Sequence, residues 1–364
     1  MRALDVLKAT LSGRAWAGKE SAVRAAAQIG ADSLAAAMRE ATGDDVAATA
    51  AATSELVRLF LAQSSRGAVS YRRACLVAIA TLSSGLRLAL SRAATAQSRR
   101  DSAAAAVEGA APADATLGVF VSRCAAARFA LWELAAPILA ARAVECACDA
   151  VVVADVSASD VPEKARDPAT ARFALEALAA LWPGRAIAAA KKAGGATPAP
   201  PAGLAFDARA ACGLALSCAA QAIGASQQVW AVQCAAIEIS SVVVMTAAWP
   251  FFVAEEAVDA LLTVATKLAG AARDLKHSKL RTAVLALVAA IDAVDVEVPR
   301  KAELLQCAVD TVLVLKGDPV STISDKARIM EARLVAAARK AAQRAAYDAM
   351  QTDQAASGNL GGDI

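Results

Sequence analysis

Apolar residues return along this chain in steps of three and four. In YRRACLVAIATLSSGL, Cys75, Ile79, Leu82 and Leu86 follow one another at four, three, four. Val232, Ala236, Ile239 and Val243 repeat the step in QVWAVQCAAIEISSVVV, and Leu280, Val284, Leu287 and Ile291 repeat it in KLRTAVLALVAAI. Each run predicts an amphipathic helix with one buried stripe. Further helices are expected over 44–64, about 114–149, 205–223, 251–273 and 299–316. Period-two alternation is nearly absent, and VVVADV at 151–156 is the one candidate strand.

The stripes recur. Arg24 and Arg73 hold equivalent places 49 residues apart, and Val232, Arg281 and Arg328 follow at 49 and 47. A two-helix unit of this size is close to the HEAT/armadillo period. The fold expected is therefore all-α, an α-solenoid of about six antiparallel helix hairpins. From Arg73 to Arg172 the spacing doubles to 99, which insertions explain: SRAATAQSRRDSAAAAVEGAAPA (91–113) and SASDVPEKARDP (157–168) read as loops. AGGATPAPPAG (193–203) lengthens the next spacing to 60. The expected organisation is repeats over 1–192, a Pro/Gly linker over 193–204, repeats over 205–350, and a polar disordered tail over 351–364.

Composition sharpens this picture. Only 4% of the 364 residues are aromatic, and alanine dominates the chain. Alanine loses no side-chain entropy in a helix, so close-packed helices are favoured. Mean hydropathy is +0.45, which raises the question of a membrane. The apolar window from Ile239 to Ala254 is too short to span a bilayer, and Pro250 interrupts it. Asp5 and Lys8 fall where a signal peptide needs an apolar core, so a soluble, intracellular protein is expected. A net charge of +3 is too small to imply a nucleic-acid partner. The eight cysteines then read as reduced thiols, with Cys75, Cys212, Cys218, Cys234 and Cys307 acting as small buried hydrophobes.

Candidate chemistry is sparse. GRAWAGKES (13–21) carries Gly13, Gly18 and Lys19 in the G-x-x-x-x-G-K spacing of a phosphate-binding loop. Glu20 stands where that loop needs a hydroxyl for magnesium, and MRALDVLKATL before it reads as helix rather than strand. A turn between two helices, with Trp16 at the corner, is the expected reading. His277 is the one histidine, so no His-based zinc site or serine relay assembles without it. Cys146 and Cys148 are too close for a C-x₂-C knuckle. Glu255, Glu256 and Asp259 complement a helix N-terminus. Lys276, Lys279 and Arg281 form a basic turn that solvation explains, with an acidic partner as the alternative. No catalytic, cofactor-binding or metal-binding residue is assigned.

Several segments resemble the C-terminal part of the proteasome adaptor and scaffold family, large HEAT-repeat proteins that hold the proteasome core and its regulatory cap together. SGRAWAGKE resembles a turn there, and ELVRLFLAQSSRGAVSYRRACLVAIATL resembles a helical pair, with Tyr71 opening its second helix. FALEALAALWPGR resembles a helix ending in Trp182 and Pro183. VWAVQCAAIE resembles a W-x-V-Q helix through Trp230, Val232 and Gln233. KLRTAVLALV resembles a V-R-T-x-A-L helix through Arg281, Thr282, Ala283 and Leu285. The resemblance implies a non-enzymatic scaffold, with core and regulatory particles as partners and a cytoplasmic or nuclear location. Two other readings stay open: a karyopherin-like transport or trafficking adaptor, and a nucleotide-binding enzyme using residues 13–20. Co-purification with proteasomes separates the first two, and a nucleotide-dependent thermal shift separates both from the third.

Overall fold

The computed structural model describes residues 6, 9–11, 18–40, 43–65, 68–85, 115–147, 167–184, 207–225, 229–246, 255–294, 298 and 300–358. Among them there is no strand, and the protein is all-α. Beyond the helical residues 6 and 9–11, the longer helices among the described residues are α1 (Lys19–Glu40), α2 (Gly43–Ser64), α3 (69–85), α4 (Ala115–Ala147), α5 (Pro168–Leu181) and α6 (Ala208–Ala225), then α7 (Trp230–Thr246), α8 (Glu255–Ala272), α9 (Ser278–Asp292), α10 (Lys301–Leu315) and α11 (Ser321–Gly358). The segments 91–113, 151–156 and 193–204, together with Trp16, lie outside the described residues.

The apolar stripes are the core. Cys75, Ile79 and Leu82 are buried, as are Val232, Ala236, Ile239 and Val243, and Leu280, Val284, Leu287 and Ile291. Alanines fill much of the remaining interior, including Ala135, Ala136, Ala174 and Ala215. A methyl-sized side chain lets helix backbones approach closely, at the cost of little burial per residue. Contact is close enough in places to need glycine. A Cβ on Gly85 of α3 would lie 2.7 Å from the Ala31 Cβ of α1.

From α4 onward, each helix packs on its sequence neighbours and on the helix two places further along. Thus α4 meets α6, α6 meets α8 and α8 meets α10, while α5 meets α7, α7 meets α9 and α9 meets α11. Buried apolar stripes alone could be satisfied by many pairings. The alternate pairing is reinforced by polar links, described below.

Two boundaries differ from the sequence expectation. The loop read over 157–168 ends earlier, because Asp167 caps α5 and Pro168 opens it. Proline suits a first helical position, where its missing N–H is not needed. At the other end α11 runs through Gly358, so the first part of the expected disordered tail is helical. Ala and Gln in QTDQAASG are adequate helix formers, and a polar segment can continue a helix that is already nucleated. No described helix is long and apolar enough to cross a membrane.

Candidate functional site

Gly18 has φ 91°, a left-handed value that suits glycine, and its carbonyl accepts from the Ala22 amide as α1 begins. Lys19, the residue that would reach a phosphate, is buried with its ammonium 4.7 Å above the Tyr71 ring of α3. That is cation–π geometry, and it holds α1 against α3. Cys75 lies one turn beyond Tyr71, and burial pushes its thiol up to about 11. Burial likewise raises the Tyr71 phenol. Glu20 pairs with Arg24 at 3.7 Å. Lys19 thus packs inward against an aromatic face, while Gly13 and the rest of 12–17 lie outside the described residues.

Two arginine–aspartate links tie a helix to the start of the helix two places on. Arg73 of α3 donates through Nη2 to Asp167 Oδ1 at 2.7 Å, and Arg72 stands 3.7 Å from Oδ2. Asp167 also caps α5, accepting from the Thr170 amide at 3.2 Å and from the Thr170 hydroxyl. Its burial alone would raise its pKa. The Thr170 and Arg73 donors outweigh that and hold the carboxyl below its usual range. In the second link, Arg281 of α9 donates through Nε and Nη2 to both oxygens of Asp318, at 2.5 and 3.2 Å. Asp318 sits in the turn before α11, where it also accepts from the Val320 amide at 2.8 Å. Arg281 donates again to the Asp274 carbonyl at 2.7 Å. Arg281 is only 1% exposed, so it does not belong to the surface cluster with Lys276 and Lys279, which are exposed. A guanidinium with three well-placed acceptors can be buried where an ammonium could not.

A third joint forms at the end of α5. The Ala180 carbonyl accepts from Ser83 Oγ of α3 at 2.6 Å and from the Arg128 guanidinium of α4. Arg128 also reaches the Trp182 carbonyl at 3.1 Å. These donors satisfy carbonyls that a helix C-terminus leaves open. Trp182 meets Trp132 edge-on at 5.2 Å and donates its indole N–H to Thr246 Oγ1 of α7 at 2.7 Å. One tryptophan therefore links α4, α5 and α7.

His277 precedes α9 and stacks on Trp230 at 4.5 Å and 12°. Its Nδ1 lies 2.8 Å from Asp274 Oδ2, and this hydrogen bond holds the Asp274 carboxyl below its usual range. The ring is half-buried and partnered rather than freely solvated. Glu255 and Glu256 are exposed in the first turn of α8, and Asp259 pairs with Arg300 at 2.7 Å. Among the described cysteines, Cys75, Cys124, Cys146, Cys212, Cys218 and Cys234 are buried and Cys307 is half-buried. Burial pushes the Cys212, Cys218 and Cys234 thiols up to about 12. Cys148 lies outside the described residues. No group of three metal-ligating side chains occurs among the described residues.

Among the described residues, a groove of about 340 Å³ runs across α5, α7 and α9. From α5 come Glu176, Ala179 and Ala180; from α7 come Glu238, Ser241 and Val242; from α9 come Ala283 and Ala286. Arg172 pairs with Glu176 at 2.7 Å, and Lys279 approaches Glu238 at 4.0 Å. Sequence reading missed this groove. Its residues lie on three helices and have no motif of their own; the only signal was a glutamate on an otherwise small or apolar helix face, twice.

Neither a protein-family model nor a curated protein matches the chain.

Proposed function

We propose that the chain is an α-solenoid of helix hairpins that acts as a non-catalytic scaffold, and that its partner is the proteasome, whose core and regulatory particles it helps hold together. The alternate pairing of helices supports the solenoid. So does the reuse of one device: Arg73–Asp167 and Arg281–Asp318 each fasten a helix to the start of the helix two places on. In a repeat stack each unit contacts only its neighbours and leaves a long face free. Such a face suits protein binding spread over several repeats.

The observation that carries the partner is the ordered series of resembling segments, from SGRAWAGKE to KLRTAVLALV. Several motif residues stand at joints between helices. Tyr71 lies under Lys19, Trp182 links three helices, Trp230 supports His277, and Arg281 is buried on Asp318. Residues with such constrained roles are the ones a shared architecture would retain. The location that goes with this function is the cytoplasm, with the nucleus as a second site.

Affinity capture of the tagged full chain from cell lysate, with mass spectrometry of the bound proteins, tests the reading. Core and regulatory subunits should be enriched together at physiological salt, where charges are screened beyond about 8 Å, and should persist at moderately higher salt. Capture of transport carriers without proteasome subunits would favour the trafficking reading instead.

A further inference from the structure

We propose that the groove across α5, α7 and α9 binds an extended basic segment of a partner protein, with Lys or Arg side chains seated on Glu176 and Glu238. The proposal rests on the scaffold reading in one respect, that the chain exists to bind proteins.

The lining decides the chemistry. Its charged groups are both carboxylates, and they are reachable, with side chains 29% and 39% exposed. Their present partners are Arg172, Lys279 and, for Glu238, the Cys234 thiol, which donates to Oε1 at 3.4 Å; none of these lines the groove. Arg172–Glu176 is a partly exposed i,i+4 pair, and Lys279–Glu238 is at the outer limit of a salt bridge. Such pairs are weak and solvent-screened, so a partner's cation can replace them at little cost. An anion such as a phosphate would meet two negative charges and, apart from Ser241, no lining side chain with a polar hydrogen. Ser241 directs its hydroxyl toward Met245 Sδ, 3.9 Å away on the same helix.

The floor decides the shape. Ala179 and Ala180 of α5 and Ala283 and Ala286 of α9 present single methyl groups, so a backbone can lie close to those two helices. Helix axes in contact are about 8–10 Å apart, so crossing three of them takes roughly 20 Å. An extended chain rises about 3.3 Å per residue, which makes the bound segment about six residues long. Its alternate side chains would face the groove at about 7 Å intervals, close enough for two cations to address carboxylates on neighbouring helices.

The test is fluorescence polarisation with the full chain and two fluorescein-labelled probes: the peptide Ala-Lys-Ala-Arg-Ala-Ala, and the same peptide with Glu in place of both cations. The basic probe should bind with a dissociation constant of about 10–100 μM at low salt, weakening as salt screens the charges, and the acidic probe should not bind. Glu176→Gln combined with Glu238→Gln should weaken binding at least about tenfold, the equivalent of one 1.4 kcal/mol step. Ala286→Trp fills the groove without changing charge and should do the same; Ala286 is exposed, so the fold tolerates it. Circular dichroism should show unchanged helix content in both variants. No binding by the wild type, equal binding by wild type and both variants, or equal binding of the acidic probe would each overturn the proposal. Peptide binding that follows the variants, without proteasome capture, would keep the groove and remove the proteasome partner. Capture without peptide binding would do the reverse.

Discussion

Removing the Arg281 guanidinium should open the joint between α9 and α11. Asp318 is 9% exposed, and its two carboxylate oxygens take both of their side-chain donors from Arg281. In Arg281→Met the aliphatic stem survives, but the carboxylate keeps only the Val320 amide among its hydrogen-bond partners, and the Asp274 carbonyl loses a donor. Breaking a buried pair from one side costs about 3–5 kcal/mol, because it strands the other charge. Asp318→Asn should cost less, since the amide still offers one acceptor to Arg281. In the double variant no charge is stranded, so its loss should fall short of the sum by about 1–3 kcal/mol. Denaturant unfolding followed by circular dichroism measures all three. Because a chain of this size need not unfold in one step, hydrogen exchange should accompany it. Amides of 278–284 and 320–327 should exchange at least about a hundredfold faster in Arg281→Met, which corresponds to some 3 kcal/mol of lost local stability. Single variants that each cost under about 0.5 kcal/mol would show that the pair is solvated and that the joint lies elsewhere.

Leu287 is fully buried, and Leu287→Asp should destabilise the helical fold by about 3 kcal/mol or more, read as a fall in melting temperature; an unchanged midpoint would mean that the stripe faces solvent. Asp167 has a folded-state pKa below the ordinary carboxylate value, so its stabilisation is complete above about pH 4 and is lost as pH falls further through the lowered value. Acid unfolding of Asp167→Asn should therefore lose part of the wild type's slope in that window, and identical acid profiles would contradict the assignment. The six cysteines that are buried among those described should react with a disulfide reagent slowly in the native chain, with all eight thiols titrating after denaturation under nitrogen; rapid native labelling would mean that these helices are open.

Much of the helical framework is legible in the sequence, for a simple reason. In an alanine-rich chain few residues oppose helix, and the larger apolar residues mark the buried side. The expected helices over 44–64 and 299–316 correspond to Gly43–Ser64 and Lys301–Leu315. The helix expected over 251–273 corresponds to Glu255–Ala272, with 251–254 outside the described residues. What periodicity does not carry is partnership. Arg281 was grouped with Lys276 and Lys279 because charge in a turn normally means solvent, yet its acceptor Asp318 lies 37 residues away. Arg128 has the same character, being buried among carbonyls of α5. Lys19 could be doubted as a phosphate ligand from its neighbour Glu20, but the Tyr71 ring beneath it could not be read from spacing. The groove was hidden for the same reason, because alanines at 179, 180, 283 and 286 look like ordinary helix filler until α5 and α9 bring them to one groove.

The most direct test of the scaffold account is sedimentation of the purified chain with purified proteasomes through a density gradient. The account predicts that a stoichiometric share of the chain moves into the fractions holding core and regulatory particles, and stays there when salt is raised moderately. A chain that remains at the top of the gradient at every salt concentration, while circular dichroism shows it fully helical, would contradict the assignment.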